Sequence, residues 1–243
     1  MEGKAGPLEQ FKIHPLIPIH LGGVDLSFTN AALLMCIIVA LVTIFMVVST
    51  RGAQLIPSRW QSMAELAYEF VATMVIDTAG TGAAKYVPFV FTLFMFILFS
   101  NLIGLIPYSF TVTSQVIVTA ALALTVFIGV TIIAFAKHGF HFFTFFFPEG
   151  APIVMAPLLV PIEIISYLSR PFSLAIRLFA NMMAGHTMLA VFAGFVVSLG
   201  LFGVLPILFD SVLIAFEVFI GALQAYVFTI LTCLYLNDAL HMH

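Results

Sequence analysis

A long stretch without charge is the feature that most limits how this chain can fold. No Asp, Glu, Lys or Arg occurs between Tyr86 and Ala136, and aliphatic and aromatic side chains fill most of the stretch. A helix of about 20 apolar residues crosses the hydrocarbon core of a bilayer, so there is room here for two spans. We expect spans over 87–106 and 114–136, joined by a turn around Pro107.

The composition of the whole chain excludes several classes of protein. Of its 243 residues, 63% are hydrophobic and 8% are charged, whereas a soluble globular domain has about 25% charged residues. A soluble domain, a disordered chain and a solvated binding module are therefore excluded. The net charge of −3 and the lack of a Lys/Arg cluster argue against nucleic acid as a partner. Cys36 and Cys233 lie in apolar runs and are interpreted as packing residues, and we expect no metal site and no cofactor.

Two further segments precede the charge-free stretch. Residues 1–27 are expected to form an external N-terminal segment, and the apolar run after them predicts a first span over 28–49. Residues 57–80 repeat polar and apolar positions at steps of three and four, which is typical of an amphipathic helix. Because this helix carries too many charges to span, it lies at the membrane interface or against a partner, or it packs on its own protein.

Two unusually long helices are predicted in the second half of the chain. Helices over 161–200 and 206–237 would extend about 60 Å and about 48 Å at a rise of about 1.5 Å per residue. The hydrocarbon core is about 30 Å thick, so both helices must tilt steeply or run partly along the membrane plane. Pro171 is a candidate kink in the first of them.

These segments predict one membrane domain over 1–243, with an all-α polytopic fold. It would consist of five transmembrane helices plus one amphipathic interfacial helix, the last two spans being long and strongly tilted. Short-loop basic residues set the orientation, and Arg51, Arg59, Lys85 and Lys137 would share the cytoplasmic side. The N-terminus is then outside and the C-terminus cytoplasmic. Since no targeting peptide is apparent, a bacterial inner membrane is favoured over an organelle membrane.

Polar side chains form one line along each long helix. At about 100° per residue, an arc of about 80° on the first helix holds six polar residues. They are Glu163, Ser166, Arg170, Ser173, Arg177 and Asn181. On the last helix, a spacing of seven keeps a second set on one side. Its members are Asp210, Glu217 and Gln224, continued by Tyr235 and Asp238. His186 lies nine residues after Arg177, which turns it to roughly the opposite face.

Ionisable side chains inside membrane helices are costly, so each is a candidate for function. Arg177 cannot release its proton at working pH and would act as a fixed charge, either as a barrier or as a counter-ion for a carboxylate. His186 and Glu217 lie far from the helix ends, and a histidine exchanges protons near neutral pH. Proton paths would be built from such groups and from nearby Asn and Ser side chains.

Several of the other polar residues have structural alternatives. Arg170 could extend to the membrane interface, Asp210 could be an interfacial charge, and Asp238 could be a solvated residue of the tail. Two serines and one glutamine could bond to carbonyls of their own helix or to a neighbouring helix. They are Ser166, Ser173 and Gln224.

Two long motifs carry a resemblance to a known family. The run SRPFSLAIRLFANMMAGH, from Ser169 to His186, closely resembles the penultimate helix of subunit a of F-type ATP synthases. The run EVFIGALQAYVFTILTCLYL, which starts at Glu217, resembles the last helix of that subunit. The segment SNLIGLIP, which starts at Ser100, resembles the end of its second span. The match reaches from about residue 90 to the C-terminus, with both long motifs in the right order and at the right distance.

The resemblance implies a non-catalytic, ion-translocating stator subunit of a rotary ATP synthase. Its partners would be a ring of c subunits, b-type peripheral stalk subunits, the remainder of the synthase and membrane lipid, and protons would be the transported ion. The two long helices would face the ring. Arg177 matches the essential arginine that meets the ring carboxylates, and Gln224 matches the glutamine beside it. The chain has no phosphate-binding loop, so nucleotide chemistry would belong to other subunits.

The resemblance also implies two offset proton half-channels. The residues matching the outer one are His186, Glu217, Asn181 and Asn101. The residues matching the inner one are Glu163, Ser166, Ser173 and Tyr235. Because the half-channels are offset, a proton would cross the membrane only by travelling with the rotating ring.

The chain departs from the family pattern in two places. Some members have the acid at the position of His186 and the histidine at the position of Glu217, so the pair is exchanged here. Some members also carry an acid where this chain has Gly104.

The alternative interpretation is a proton-coupled secondary transporter or channel, a class that usually shows repeated halves and helices broken at the midplane. No internal repeat is apparent in this sequence.

Overall fold

Six α-helices make up most of the residues that the structure describes. The computed structural model describes residues 12–18, 20–21, 24–25, 27–54, 56–106, 110–140, 142, 155–199 and 203–241. Within them the helices are α1 Asn30–Thr50, α2 Arg59–Ala79, α3 Val87–Gly104, α4 Val116–His138, α5 Ala156–Leu199 and α6 Val204–Leu240. Short 3₁₀ turns at Thr81–Tyr86 and Val112–Ser114 precede α3 and α4.

Five of these helices are long and apolar enough to cross a membrane, judged by length and composition. They are α1, α3 with the 3₁₀ turn before it, α4, α5 and α6. The predicted all-α polytopic membrane fold is therefore confirmed. The steep tilt of α5 and α6 and the interfacial position of α2 stay predictions.

In the described part of the N-terminal segment, two small antiparallel strand pairs precede α1. Strand β1, Pro15–Ile17, pairs with β4, Phe28–Thr29, and β2, His20–Leu21, pairs with β3, Val24–Asp25. The sequence interpretation contained no strands, because pairs of two or three residues leave no alternating pattern to recognise. At the junction with α1, the Thr29 hydroxyl accepts a hydrogen bond from the Ala32 N–H at 3.3 Å and caps the helix.

The helix ends differ from the predicted ends most clearly in α5. This helix begins at Ala156, ahead of the predicted start at residue 161. Pro161 and Pro171 both lie inside it. Because proline has no N–H, Pro161 leaves the carbonyl of Pro157 without its usual helical partner. Helix α2 has clear end signals, since the Ser58 hydroxyl accepts from the Gln61 N–H and Gly80, at φ 79°, follows its last residue.

One core cluster joins α2, α3, α4, α5 and α6. Its largest fully buried side chains include Ile97 of α3, Leu174 and Leu178 of α5 and Phe228 of α6. Helix α1 contributes to a smaller cluster in which Ile38 packs with Phe110 and Val112. The core therefore holds α6 against α3 and α5, and α5 against α4. It fixes which face of each long helix is turned inward.

The buried stripe of α2 only partly follows the apolar positions of its sequence. Trp60 and Met63 are 63% and 56% exposed, whereas Met74 is buried. The other buried apolar positions are Ala64, Val71, Val75 and Ala79. Small and β-branched side chains allow a close approach to the neighbouring helices, whereas the larger rings pack at the edge of the contact. Helix α2 thus packs on its own protein through a stripe of mostly small and β-branched side chains.

Candidate ion-translocation site

Arg177 lies on the exposed face of α5. Phe172 and Ile176 on that face are 71% and 55% exposed, and Arg177 is itself exposed. Among the residues that the structure describes, the Arg177 guanidinium has no hydrogen bond or ion pair. A permanently charged side chain therefore stands on a mostly apolar surface, inside a candidate membrane span.

His186 lies on the buried face of the same helix. Leu174, Leu178 and Met182 precede it on that face and are no more than 1% exposed. His186 is 8% exposed. His186 thus lies on the buried face of α5 and Arg177 on its exposed face, as expected for residues nine positions apart on a regular helix.

Glu217 of α6 lies beside His186 inside the protein. The Oε1 atom of Glu217 is 3.8 Å from Nε2 of His186, which is longer than a hydrogen bond. Neither carboxylate oxygen has a hydrogen-bond partner within the described part of the chain. The close approach of α6 depends on Gly185, because a Cβ atom there would overlap the Glu217 carboxylate. The structure therefore holds a buried acid next to an imidazole without bonding the two together.

The segment that follows the predicted turn around Pro107 is buried next to this pair. Thr111, Thr113 and Ser114 are 2%, 0% and 4% exposed. The Thr111 hydroxyl oxygen lies 2.9 Å from Nε2 of His186 and donates to the Gly104 carbonyl at 3.2 Å. Residues 107–109 of the expected turn lie outside the described residues. The burial arises because residues 111–114 pack between α3 and α5.

Asn101 joins the buried segment to α6. Its side chain is fully buried; Nδ2 donates to the Gly221 carbonyl at 2.9 Å, and Oδ1 accepts from the Thr113 hydroxyl at 2.8 Å. A buried asparagine bonded through both amide atoms fixes the relative positions of the groups it joins. We call the set of Asn101, Thr111, Thr113, His186 and Glu217 the His186 cluster.

A cavity of about 180 Å³ lies between α5 and α6. Asn181 and Glu217 both line it, together with Gly185 and apolar side chains. A space of this size has room for several water molecules, and its two polar side chains can bond to them. Because Asn181 is one helical turn from Arg177, the cavity reaches from the His186 cluster toward the exposed arginine.

Arg170 and Asp238 form an ion pair between α5 and α6. Nη1 of Arg170 lies 2.8 Å from Oδ2 of Asp238, and the two side chains are 23% and 43% exposed. The guanidinium carbon is also 5.4 Å from the centre of the Tyr167 ring and 5.2 Å from that of Tyr235. Arg170 is thus bound within the protein, and Asp238 is more than a solvated residue of the tail. We call these two residues the Arg170–Asp238 pair.

The remaining candidates from the sequence are more scattered. Ser166 and Ser173 are exposed on α5, and Glu163 is partly exposed. Gln224 of α6 is 5% exposed, and its Nε2 has no hydrogen-bond partner among the described residues. Within those residues, no hydrogen bond joins Gln224 to Arg177. The structure therefore assembles the His186 cluster and leaves the arginine surface open.

The sequence interpretation missed Thr111, Thr113 and Gly185. A signal for the first two was present, since hydroxyl residues at 111, 113 and 114 interrupt a charge-free apolar stretch. Gly185 had no such signal, because its importance depends on how closely α6 approaches. Among the described residues, no group of three or more His, Cys, Asp or Glu side chains could hold a metal ion.

An all-helical membrane protein with ionisable side chains buried between its two longest helices belongs to the class of ion-translocating membrane proteins. Comparison with known proteins narrows the class. The profile of the family described as ATP synthase A chain matches residues 32–237. The chain therefore belongs to the ATP synthase subunit a family.

Individual relatives match over nearly their whole length. ATP synthase subunit a of Rhodospirillum rubrum is 58% identical, over 98% of this chain and 99% of that protein. The subunit a of Paramagnetospirillum magneticum is 56% identical, over 98% of this chain and 100% of that protein. The subunit a of Pelagibacter ubique is 53% identical, over 98% of each chain.

Family membership defines the general role of the chain. It is a multi-pass membrane protein of the F-type ATP synthase complex, in which it is the proton-translocating stator subunit. The chain is not itself catalytic, and ATP is made by the complex as a whole. The alternative of a secondary transporter is thereby set aside.

Proposed function

We propose that this chain forms two offset proton half-channels and presents Arg177 to the carboxylates of a c-subunit ring. The observation that carries the proposal is the exposed Arg177, which has no hydrogen bond or ion pair within the described residues. A lone charge at the centre of a bilayer costs about 3 kcal/mol or more. A ring carboxylate would complete this surface, because each ion lowers the cost of burying the other.

Arg177 would control the ring without passing a proton itself. Its guanidinium stays charged at working pH, so it favours the ionised form of an arriving carboxylate. The same charge repels hydronium and would stop protons from passing directly between the half-channels. Gln224, whose buried Nε2 has no hydrogen-bond partner within the described residues, would supply a neutral hydrogen-bond donor on the neighbouring helix.

The outer half-channel would pass through the His186 cluster. His186 and Glu217 are close enough for a small movement to bond them, and Asn101 holds α3, the buried segment and α6 around them. The cavity lined by Glu217 and Asn181 would hold water. Asn181 is one turn from Arg177, so protons leaving this water would arrive next to the ring carboxylate.

The inner half-channel would follow the exposed face of α5. Ser173 lies about one turn before Arg177, and Ser166 and Glu163 lie two and three turns further toward the helix start. Tyr235 would flank this line from α6. A ring seated on the face would cover these side chains and confine water along them. The membrane potential would supply about 2.3 kcal/mol per proton per 100 mV.

The remaining assignments concern the surroundings of the chain. A b-type peripheral stalk would keep the chain stationary while the ring turns. Basic residues at the helix ends, such as Arg51 and Lys137, would lie on the cytoplasmic side, with the C-terminus on that side and the N-terminus outside. We also assign the protein to a bacterial inner membrane.

The experiment uses inverted membrane vesicles that contain the assembled synthase. ATP-driven acidification and ATP hydrolysis are recorded together for wild type, Arg177→Ala and Arg59→Ala, after assembly has been checked. We expect Arg177→Ala to abolish acidification while ATP is still hydrolysed. Arg59→Ala removes the same charge at the start of α2 and should keep acidification. Acidification near the wild-type rate in assembled Arg177→Ala would show that the proposal is wrong.

A further inference from the structure

The hydroxyl of Thr111 has two partners but only one proton. Its oxygen lies 3.2 Å from the Gly104 carbonyl oxygen and 2.9 Å from Nε2 of His186. A carbonyl oxygen can only accept a hydrogen bond, whereas an imidazole nitrogen donates or accepts according to its protonation. The direction in which the hydroxyl points is therefore linked to whether Nε2 carries a hydrogen.

Two arrangements keep Nε2 of His186 hydrogen-bonded in its two protonation states. When Nε2 carries a hydrogen, it donates to Thr111, and Thr111 donates to the Gly104 carbonyl. When Nε2 is bare, the hydroxyl can rotate and donate to that nitrogen instead. A buried nitrogen without a partner is costly, and His186 is 8% exposed. Thr111 can thus stabilise Nε2 in both of its states.

We propose that Thr111 is a positioning residue for proton exchange between His186 and Glu217, an inference that rests on the proposed function of this pair. In doubly protonated His186, the Nε2–H bond breaks and its electron pair stays on the nitrogen. The proton bonds to Oε1 of ionised Glu217. The products are a neutral histidine with its hydrogen on Nδ1 and a neutral carboxyl group. The Thr111 hydroxyl keeps its O–H bond, gives up its hydrogen bond to the Gly104 carbonyl and rotates to donate to Nε2. The reverse step restores the first state.

The geometry around the pair favours this division of roles. Nε2 and Oε1 are 3.8 Å apart, and a hydrogen bond requires about 2.7–3.2 Å. One partner must therefore move while the other is held. Thr111 bonds to the imidazole, and the Ser114 hydroxyl bonds to the Thr111 carbonyl at 2.7 Å. Glu217 has no such bond within the described residues, so the carboxylate is the partner that moves.

Passive proton flow through vesicles stripped of the soluble ATPase, with the membrane sector intact, is the first readout. Thr111→Val keeps the approximate shape of the side chain and removes its hydroxyl, and we expect about tenfold lower flow. Thr111→Ser keeps the hydroxyl and should restore flow close to the wild-type value. Thr119→Val is the matched control. Thr119 is also fully buried, but its hydroxyl donates to the carbonyl of Val116 in its own helix.

A second substitution tests the same contact from the other side. A Cβ atom at Gly104 would lie 2.7 Å from Cγ2 and 3.0 Å from the hydroxyl oxygen of Thr111. Gly104→Ala should therefore displace Thr111 and lower the flow as Thr111→Val does. Adding Thr111→Ser to Gly104→Ala should recover part of the flow, because serine lacks the Cγ2 methyl. Should Thr111→Val fail to assemble, Thr111→Cys replaces it with the same expectation, since a thiol bonds weakly.

Solid-state ¹⁵N NMR of the histidine-labelled complex is the second readout. The Nε2 resonance of His186 is assigned as the signal that disappears in His186→Gln. We expect this resonance to shift in Thr111→Val and to keep its position in Thr119→Val. Wild-type flow in Thr111→Val, or a loss of flow without a change at Nε2, would overturn the role of Thr111.

Glu217→Gln separates this inference from the proposed function. If Glu217→Gln leaves proton flow intact, the proposed path is wrong and the role of Thr111 falls with it. If Glu217→Gln stops the flow while Thr111→Val conducts like wild type, the path stands and the role of Thr111 alone is rejected.

Discussion

The Arg170–Asp238 pair and the His186 cluster both join α5 to other helices, yet they are bonded in opposite ways. In the pair, a 2.8 Å contact joins two charges that are 23% and 43% exposed, and two tyrosine rings flank the guanidinium. In the cluster, Glu217 is 6% exposed and stands 3.8 Å from the imidazole, without a hydrogen bond in the described structure. A bonded charge resists change, whereas an unbonded buried acid can gain or lose a proton in response to its neighbours. We therefore expect the pair to stabilise the fold and the cluster to carry protons.

A large effect is expected when the space beside Glu217 is filled. In Gly185→Ala, the new methyl group would overlap the Glu217 carboxylate and push it away from His186. Since a shift of about 1 Å in a reacting group can cost about 100-fold in rate, we expect a loss of that order in ATP-driven acidification per assembled complex.

Gly194→Ala is the matched control for this prediction. Gly194 lies on the same helix, and a Cβ atom there would meet nothing within 4 Å. It should pump like wild type. Wild-type pumping in Gly185→Ala as well would mean that the position of Glu217 is not critical, and the contrast between the two regions would fail.

The smallest effect is expected at the Arg170–Asp238 pair. Both side chains are partly exposed, so solvent screens the attraction and their coupling should stay below about 1 kcal/mol. A double-mutant cycle with Arg170→Gln and Asp238→Asn, read from the thermal stability of the assembled complex, measures this coupling. The double variant should have nearly the same thermal stability as the less stable of the two single variants. Strictly additive losses would indicate that the two residues act separately.

The sequence predicted those features that follow from local patterns. The charge-free run places α3 and α4 within two residues of the expected spans, and helical geometry separates His186 from Arg177. The buried segment around Thr111 has no periodic pattern of its own, so its position could not be predicted. It depends on contacts distant in sequence, such as those from Thr111 to His186, 75 residues away, and from Asn101 to Gly221, 120 residues away. Packing of helices, rather than propensity, decides such contacts.

The most direct test removes one carboxylate charge from each region under the same conditions. Passive proton flow, driven by a potassium diffusion potential, is measured in ATPase-stripped vesicles carrying Glu217→Gln or Asp238→Asn. Both substitutions keep the side-chain shape, and assembly is verified in each case. We expect flow to fall by about 100-fold in Glu217→Gln and to stay close to the wild-type value in Asp238→Asn. Equal flow in the two variants, or a loss confined to Asp238→Asn, would contradict the assignment of proton transport to the His186 cluster.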